Sequence, residues 1–104
     1  MRIWVDNYTP APRGYVWCKT TNEAKMILTC VQRMQDIEAV ENLPTIEVVD
    51  FGCYASPEHG GPYTEILDFM EKNHWNFPVH IHGRDRVEIK KMLEIILRNG
   101  WPAA

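Results

Sequence analysis

The chain has 104 residues, of which 45% are hydrophobic and 24% are charged, and these values indicate one globular domain over residues 1–104. The net charge of -3 argues against binding along a nucleic-acid backbone. The longest apolar runs are a few residues and no export leader is seen, so we expect a cytoplasmic protein that does not cross a membrane. The cysteines at 18, 30 and 53 are expected to be reduced and mostly buried.

Two strands and a helix are predicted in the first half of the chain. RIWVD (2–6) is an apolar run that ends in an acid, and YVWCK (15–19) is aromatic and β-branched. Between these strands, Pro10, Pro12 and Gly14 exclude regular structure from segment 7–14. From Thr21 or Asn22, either of which can cap a helix, the apolar residues fall on one helical face. Residues 36–45 are either a frayed helix end or a loop.

The second half alternates strands and helices. TIEVVDF (45–51) is predicted as a strand, 52–62 as a long loop, 63–74 as a helix, 77–82 as a strand, and 85–99 as a final helix that ends at Gly100. This alternation predicts a mostly parallel α/β sheet of about four strands with about three helices, covered on both faces. The link between the first two strands is short for a parallel crossover, so the second strand is either antiparallel or reached without a helix.

Polar residues stand where the predicted strands end. In a parallel sheet the ligand crevice lies beyond these carboxyl ends, where we place Asp6 with Asn7, Asp50, and His82 with Gly83. Asp6 and Asp50 could hold Mg²⁺ weakly, at roughly millimolar affinity, with the Asn7 amide as a third ligand. His82 could then transfer a proton. The alternative is that the strand-end acids only cap turns.

Other polar residues near these ends have two interpretations each. His80 is interpreted as structural, because it lies deeper in its strand. Arg84, before the last helix, could hold an anion together with the helix amides, or it could be a solvated corner. His59, on the long loop, could close over the crevice or be exposed on the surface.

The opening segment RIWVDNYTPAPRGYVWCKTTNEA (2–24) and the later segments VVDFG (48–52) and HGRD (82–85) resemble the cyclic-phosphate-processing receiver-like domains. The similarity covers nearly the whole chain and is strongest in the first 24 residues. Such domains begin with a strand ending in Leu-Asp-Asp, a proline-rich loop, a second strand and a helix containing Glu-Ala. Later they have a strand ending Leu-Asp-His-Asp-Leu-Gly, a Thr-Gly-Tyr segment and a strand ending His-Ser-x-Asn. The residues that match are Asp6, Pro10, Pro12, Gly14, Tyr15, Glu23, Ala24, Asp50, Gly61, Tyr63 and His82, with Asp85 in the place of the last Asn.

The resemblance implies a receiver-like (flavodoxin-like) fold in which a proline-rich loop replaces the first crossover helix. It also implies a site of acids and a histidine that acts on, or senses, cyclic or nucleotide phosphates. Several of the family's polar positions are changed here: Asn7 replaces the second acid, Phe51 and Gly52 replace the His and Asp, and Gly83 replaces the Ser.

Three functions are therefore considered. The first is a divergent domain that binds a phosphate-bearing small molecule, with Asn7, Gly83, Arg84 and Asp85 as binding residues and weak or no catalysis. The second is a protein-interaction module that kept the fold and lost the site. The third is a metal-dependent cyclic-phosphate hydrolase in which Asp50 and His82 are catalytic and Asp6 and Asp50 hold the metal.

Overall fold

The computed structural model describes residues 1–36, 45–53 and 61–103, which form a parallel sheet and three helices. The strands are β1 (Arg2–Val5), β2 (Tyr15–Cys18), β3 (Val48–Phe51) and β4 (Val79–Ile81). The helices are α1 (Thr21–Gln35), α2 (Thr64–Lys72) and α3 (Arg86–Asn99). The sheet order is β2-β1-β3-β4 and every strand pair is parallel, which confirms the predicted α/β class and is compatible with a flavodoxin-like fold.

The element boundaries differ modestly from those predicted. β3 begins at Val48 rather than at residue 45. The cap of α1 is Thr20, one residue before the predicted pair, and its hydroxyl accepts a hydrogen bond from the Glu23 amide. Gly100 ends α3 as predicted, with a φ of 66° that suits glycine. Most of the segment 36–45, and the part of the long loop that carries His59, lie outside the described residues.

All three helices pack on one face of the sheet, so the prediction of helices on both faces is wrong. The single core cluster joins the buried residues of all three helices to alternate strand residues, among them Ile3, Val5, Val49 and Phe51. Because successive strand side chains point to opposite faces, the intervening residues lie on the other face. In the described part of the chain that face carries Arg2, Trp4, Tyr15, Trp17, Val48, Asp50 and His80, and no helix covers it.

β2 pairs with β1 in parallel, and the connection between them, residues 6–14, contains no helix. Of the two predicted alternatives, the second strand is therefore the parallel one. Local hydrogen bonds hold this short link. One carboxylate oxygen of Asp6 accepts from the amides of Tyr8 and Thr9, and the Trp4 indole donates to the Thr9 carbonyl. The Trp17 indole donates to the Asp6 carbonyl. These contacts fix Asp6 at the carboxyl end of β1.

A one-residue bridge extends the sheet beyond β4. Ala103 pairs in parallel with Val79, whose amide donates to the Pro102 carbonyl. Among the described residues this bridge occupies the place of a fifth strand. No helix in the described part of the chain is long and apolar enough to span a membrane.

Candidate functional site at the carboxyl ends of the strands

The structure brings Asp6, Asp50 and His82 into direct contact. Nε2 of His82 lies 2.7 Å from Oδ2 of Asp6, and Nδ1 lies 2.6 Å from Oδ1 of Asp50. The three side chains are largely buried, with exposed fractions of 12%, 9% and 17% for Asp6, Asp50 and His82. The imidazole therefore joins the ends of β1, β3 and β4.

Both ring nitrogens of His82 face carboxyl oxygens, and an ionised carboxylate only accepts, so with both acids ionised each nitrogen carries a proton when both hydrogen bonds form. An imidazolium between two carboxylates meets this requirement, and charge-assisted bonds of this kind are short. The Trp4 indole stacks on the same ring, with centroids 3.7 Å apart and planes 3° from parallel. His82 is thus held in its plane by two carboxylates and over its face by an aromatic ring.

A glycine makes the Asp6–His82 contact possible. Val5, Phe51 and Ile81 are in register across the three strands, so the next residues, Asp6, Gly52 and His82, follow at one level. A Cβ on Gly52 would lie 3.0 Å from Oδ2 of Asp6. The absence of a side chain in the central strand leaves the space through which the outer two side chains meet.

The hydrogen bonds at Asp6 keep its carboxyl ionised. Burial raises the pKa of Asp6, but the Thr9 amide, His82 and the Tyr8 amide act in the opposite direction and leave the pKa below its ordinary value. Asp6 therefore holds the β1–β2 link and also contacts His82. We call the group formed by Asp6, His82 and Asp50 the clasp.

His80 also contacts the clasp, through Asp50. Its Nδ1 lies 3.0 Å from the same Oδ1 of Asp50 that faces His82. Its side chain is 51% exposed, whereas that of His82 is 17% exposed. One buried carboxylate oxygen therefore serves two imidazoles, one enclosed and one open.

In this arrangement the predicted magnesium ligands already make hydrogen bonds within the chain. Oδ1 of Asp6 accepts from the amides of Tyr8 and Thr9, whereas Oδ2 of Asp6 and Oδ1 of Asp50 face the two ring nitrogens of His82. Mg²⁺ binds oxygen ligands in an octahedron, so its binding through these oxygens would compete with those hydrogen bonds. Within 1–36, 45–53 and 61–103 no group of three or more His, Cys, Asp or Glu residues is placed to hold a metal ion.

The predicted ligand-binding residues have separate positions around this clasp. Arg84 and Gly83 line a crevice of about 430 Å³ at the carboxyl ends, together with Asp6, Tyr8, Thr9, Gly52, Cys53 and His82. Asp85 caps α3: its Oδ1 accepts from the amides of Val87 and Glu88, which are therefore not free for an anion. Asn7 is half-buried in the link after Asp6.

Sequence reasoning did not anticipate three contacts of the site: the stacking of Trp4 on His82, the approach of Asp6 to His82 over Gly52, and the contact of His80 with Asp50. The spacing of His80 and His82, two apart in a strand, does indicate one shared face. The stacking of Trp4 and the passage over Gly52 depend on register between distant strands, which this sequence does not reveal.

Comparison of the chain with protein-family models, with curated proteins and with solved structures gave no match. The site is therefore interpreted from its own geometry.

Proposed function

We propose that this domain binds a phosphate-bearing small molecule in the carboxyl-end crevice and does not turn it over. The observation that carries the second half of the proposal is the state of His82. A general base needs a nitrogen with a free lone pair within reach of the reacting proton. Both nitrogens of His82 are bonded to carboxylates, so neither has a free lone pair for a ligand in the crevice.

The binding half of the proposal rests on the walls of the crevice. Its volume, about 430 Å³, is in the range of small-ligand sites. Arg84 is exposed on its rim, and a guanidinium donates paired hydrogen bonds to phosphate oxygens. The charges of Asp6 and Asp50 oppose an anion, and the His82 imidazolium offsets part of that charge. Binding should consequently be weak and should depend on Arg84.

The resemblance to cyclic-phosphate-processing receiver-like domains supports the same ligand class. The retained positions, Asp6, Asp50 and His82, form the clasp, while the changed position Gly52 lies within it. We infer that the site has been converted from a reactive one into a closed hydrogen-bonded one. In this interpretation the proline-rich link between β1 and β2 corresponds to a lost crossover helix.

The test is a titration of ¹⁵N-labelled protein with a cyclic nucleotide and a nucleoside monophosphate. We expect shifts of the Arg84, Gly83 and Thr9 amides that disappear in Arg84→Gln. Arg86→Gln is the matched control, because Arg86 is an exposed arginine two residues away that does not line the crevice. Equal loss in both variants, or no shift at all, would contradict binding in the crevice.

The absence of turnover is tested on the same ligands with Mg²⁺ or Mn²⁺ added, by chromatography of the products. We expect no product above the protein-free control. Robust hydrolysis that is lost in both Asp50→Ala and His82→Ala would instead establish the metal-dependent hydrolase.

One observation favours the interaction-module alternative. A groove of about 310 Å³ between β2 and α1 is lined by Met1, Val16, Met26, Ile27, Cys30, Val31 and Met34. Met26 is 67% exposed, which is unusual for a large apolar side chain. If the phosphates fail to bind and the chain self-associates in sedimentation unless Met26 is changed to Glu, this alternative replaces the proposal.

A further inference from the structure

His80, which shares the Asp50 oxygen with His82, has one ring nitrogen without a partner among the described residues, and the residue lines an open hollow. Nδ1 of His80 is bonded to Asp50, which places the proton of a neutral His80 on Nδ1 and leaves the lone pair on Nε2. In the described part of the chain, no side chain or backbone group pairs with Nε2. His80 therefore combines an orienting buried carboxylate with an accessible acceptor, whereas His82 does not.

The hollow lies on the sheet face that none of the three described helices covers. It measures about 370 Å³ and is lined by Arg2, Tyr15, Glu47, Val48, Asp50 and His80. Val48 is buried and forms an apolar floor in β3. Arg2 in β1 is in register with Val48, whereas His80 in β4 is in register with Asp50, so their backbones are two strand spacings and a two-residue offset apart, about 12 Å.

The polar groups around this floor are of both kinds. Arg2 bonds Glu47 through Nε and keeps its terminal guanidinium nitrogens as donors. His80 Nε2 and the Glu47 carboxylate are acceptors, and Tyr15 adds an aromatic ring beside Arg2. Because Asp50 and Glu47 contribute negative charge, a simple anion is a poor ligand here. A neutral molecule with several hydroxyl groups around an apolar ring face satisfies the donors, the acceptors and the floor together.

We propose that this hollow is a second ligand site, which binds a neutral, sugar-like molecule with several hydroxyl groups. His80 Nε2 accepts a hydrogen bond from a ligand hydroxyl, and no proton is transferred to the ligand. This site differs from the crevice of the proposed function in its residues and in its ligand. It does not need phosphate, and its failure would leave the crevice proposal intact.

The free nitrogen is tested by labelling the folded protein with diethyl pyrocarbonate, followed by peptide mass spectrometry. The reagent acylates an imidazole nitrogen that has an available lone pair. His80 should be labelled several-fold faster than His82, whose nitrogens are both bonded. Equal rates at the two positions, or faster labelling of His82, would overturn the assignment of His80 as the accessible acceptor.

The ligand class is tested by titrating ¹⁵N-labelled protein with D-ribose, D-glucose and myo-inositol. Support requires that at least one of them shifts the amides of Arg2, Tyr15 and His80, and that the shifts vanish in His80→Phe, which keeps a ring but removes the acceptor. His80 is half-exposed, so this variant should fold, and its amide spectrum checks that. No shift with any of the three, or shifts that persist in His80→Phe, overturns the proposal.

Discussion

Replacing His82 by alanine should lower the free energy of unfolding by about 3 kcal/mol. The imidazolium makes two short bonds to largely buried carboxylates, and a hydrogen bond to a charged group contributes about 1.5–3 kcal/mol. The full sum is not lost, because Asp50 keeps His80 and Asp6 keeps the amides of the link. The remaining carboxylates would nevertheless face each other without the positive charge between them, which is costly for buried groups.

The assay is urea denaturation, with the midpoint and slope fitted separately. A small domain has a total stability of about 5–15 kcal/mol, so a loss of this size should shift the midpoint strongly and leave the slope unchanged. His80→Ala is the control: it removes a half-exposed imidazole from the same Asp50 oxygen and should cost less than about 1 kcal/mol. If His82→Ala costs no more than His80→Ala, the clasp does not stabilise the fold and the reasoning is refuted.

Three further predictions concern the neighbourhood of the clasp. Gly52→Ala should destabilise the fold by about 1–3 kcal/mol, because the added Cβ approaches the Asp6 carboxylate, and loss of the bonded His82 Nε2 proton from the NMR spectrum would accompany it. Since the pKa of Asp6 is lowered by folding, the contribution of its carboxylate to the free energy of unfolding is present above the unfolded pKa and is lost as pH falls through the folded pKa. In Asp6→Asn the free energy of unfolding should therefore depend less steeply on pH in the acid range, and an unchanged dependence would contradict this. Burial, aided by the charge of Glu23, raises the pKa of Cys18 to about 11, so iodoacetamide at about pH 8 should label the exposed Cys30 first, and early labelling of Cys18 would show that β2 opens.

The order of elements was predictable because local patterns determine it. Apolar runs marked four strands, and the helical period marked α1, α2 and α3, since each element shows its buried side in its own sequence. The spacing alone did not decide whether β2 is parallel to β1. In the structure β2 is parallel, and hydrogen bonds to Asp6 hold the link that precedes it. The distribution of helices over the two faces was predicted wrongly. A strand with one uncovered face that is rich in Trp and Tyr resembles, in sequence, a strand buried on both faces.

The candidate site was predictable as a location but not as a set of bonds. Parallel strands bring their carboxyl ends to one edge, so Asp6, Asp50 and His82 could be grouped without coordinates. Their connectivity depends on quantities that no local pattern contains: the level of Gly52 between the outer strands, and the reach of the Trp4 ring. From the sequence, Asp6 and Asp50 were predicted to bind a cation, and in the structure the His82 imidazole lies between their carboxyl groups.

The same absence of long-range information explains why the sequence did not reveal how differently the two histidines are surrounded. Residues two apart in a strand share a face, and the one nearer the strand's end is ordinarily the more available for chemistry. Here the end position is also the position where Asp6 can cross over Gly52, so His82 receives a second carboxylate and a stacked ring. His80, one pleat earlier, is opposite Asp50 alone and keeps its outer nitrogen free. Availability for binding therefore depends on how many carboxylates reach each imidazole, and on this criterion the uncovered sheet face, rather than the strand ends, offers the accessible histidine.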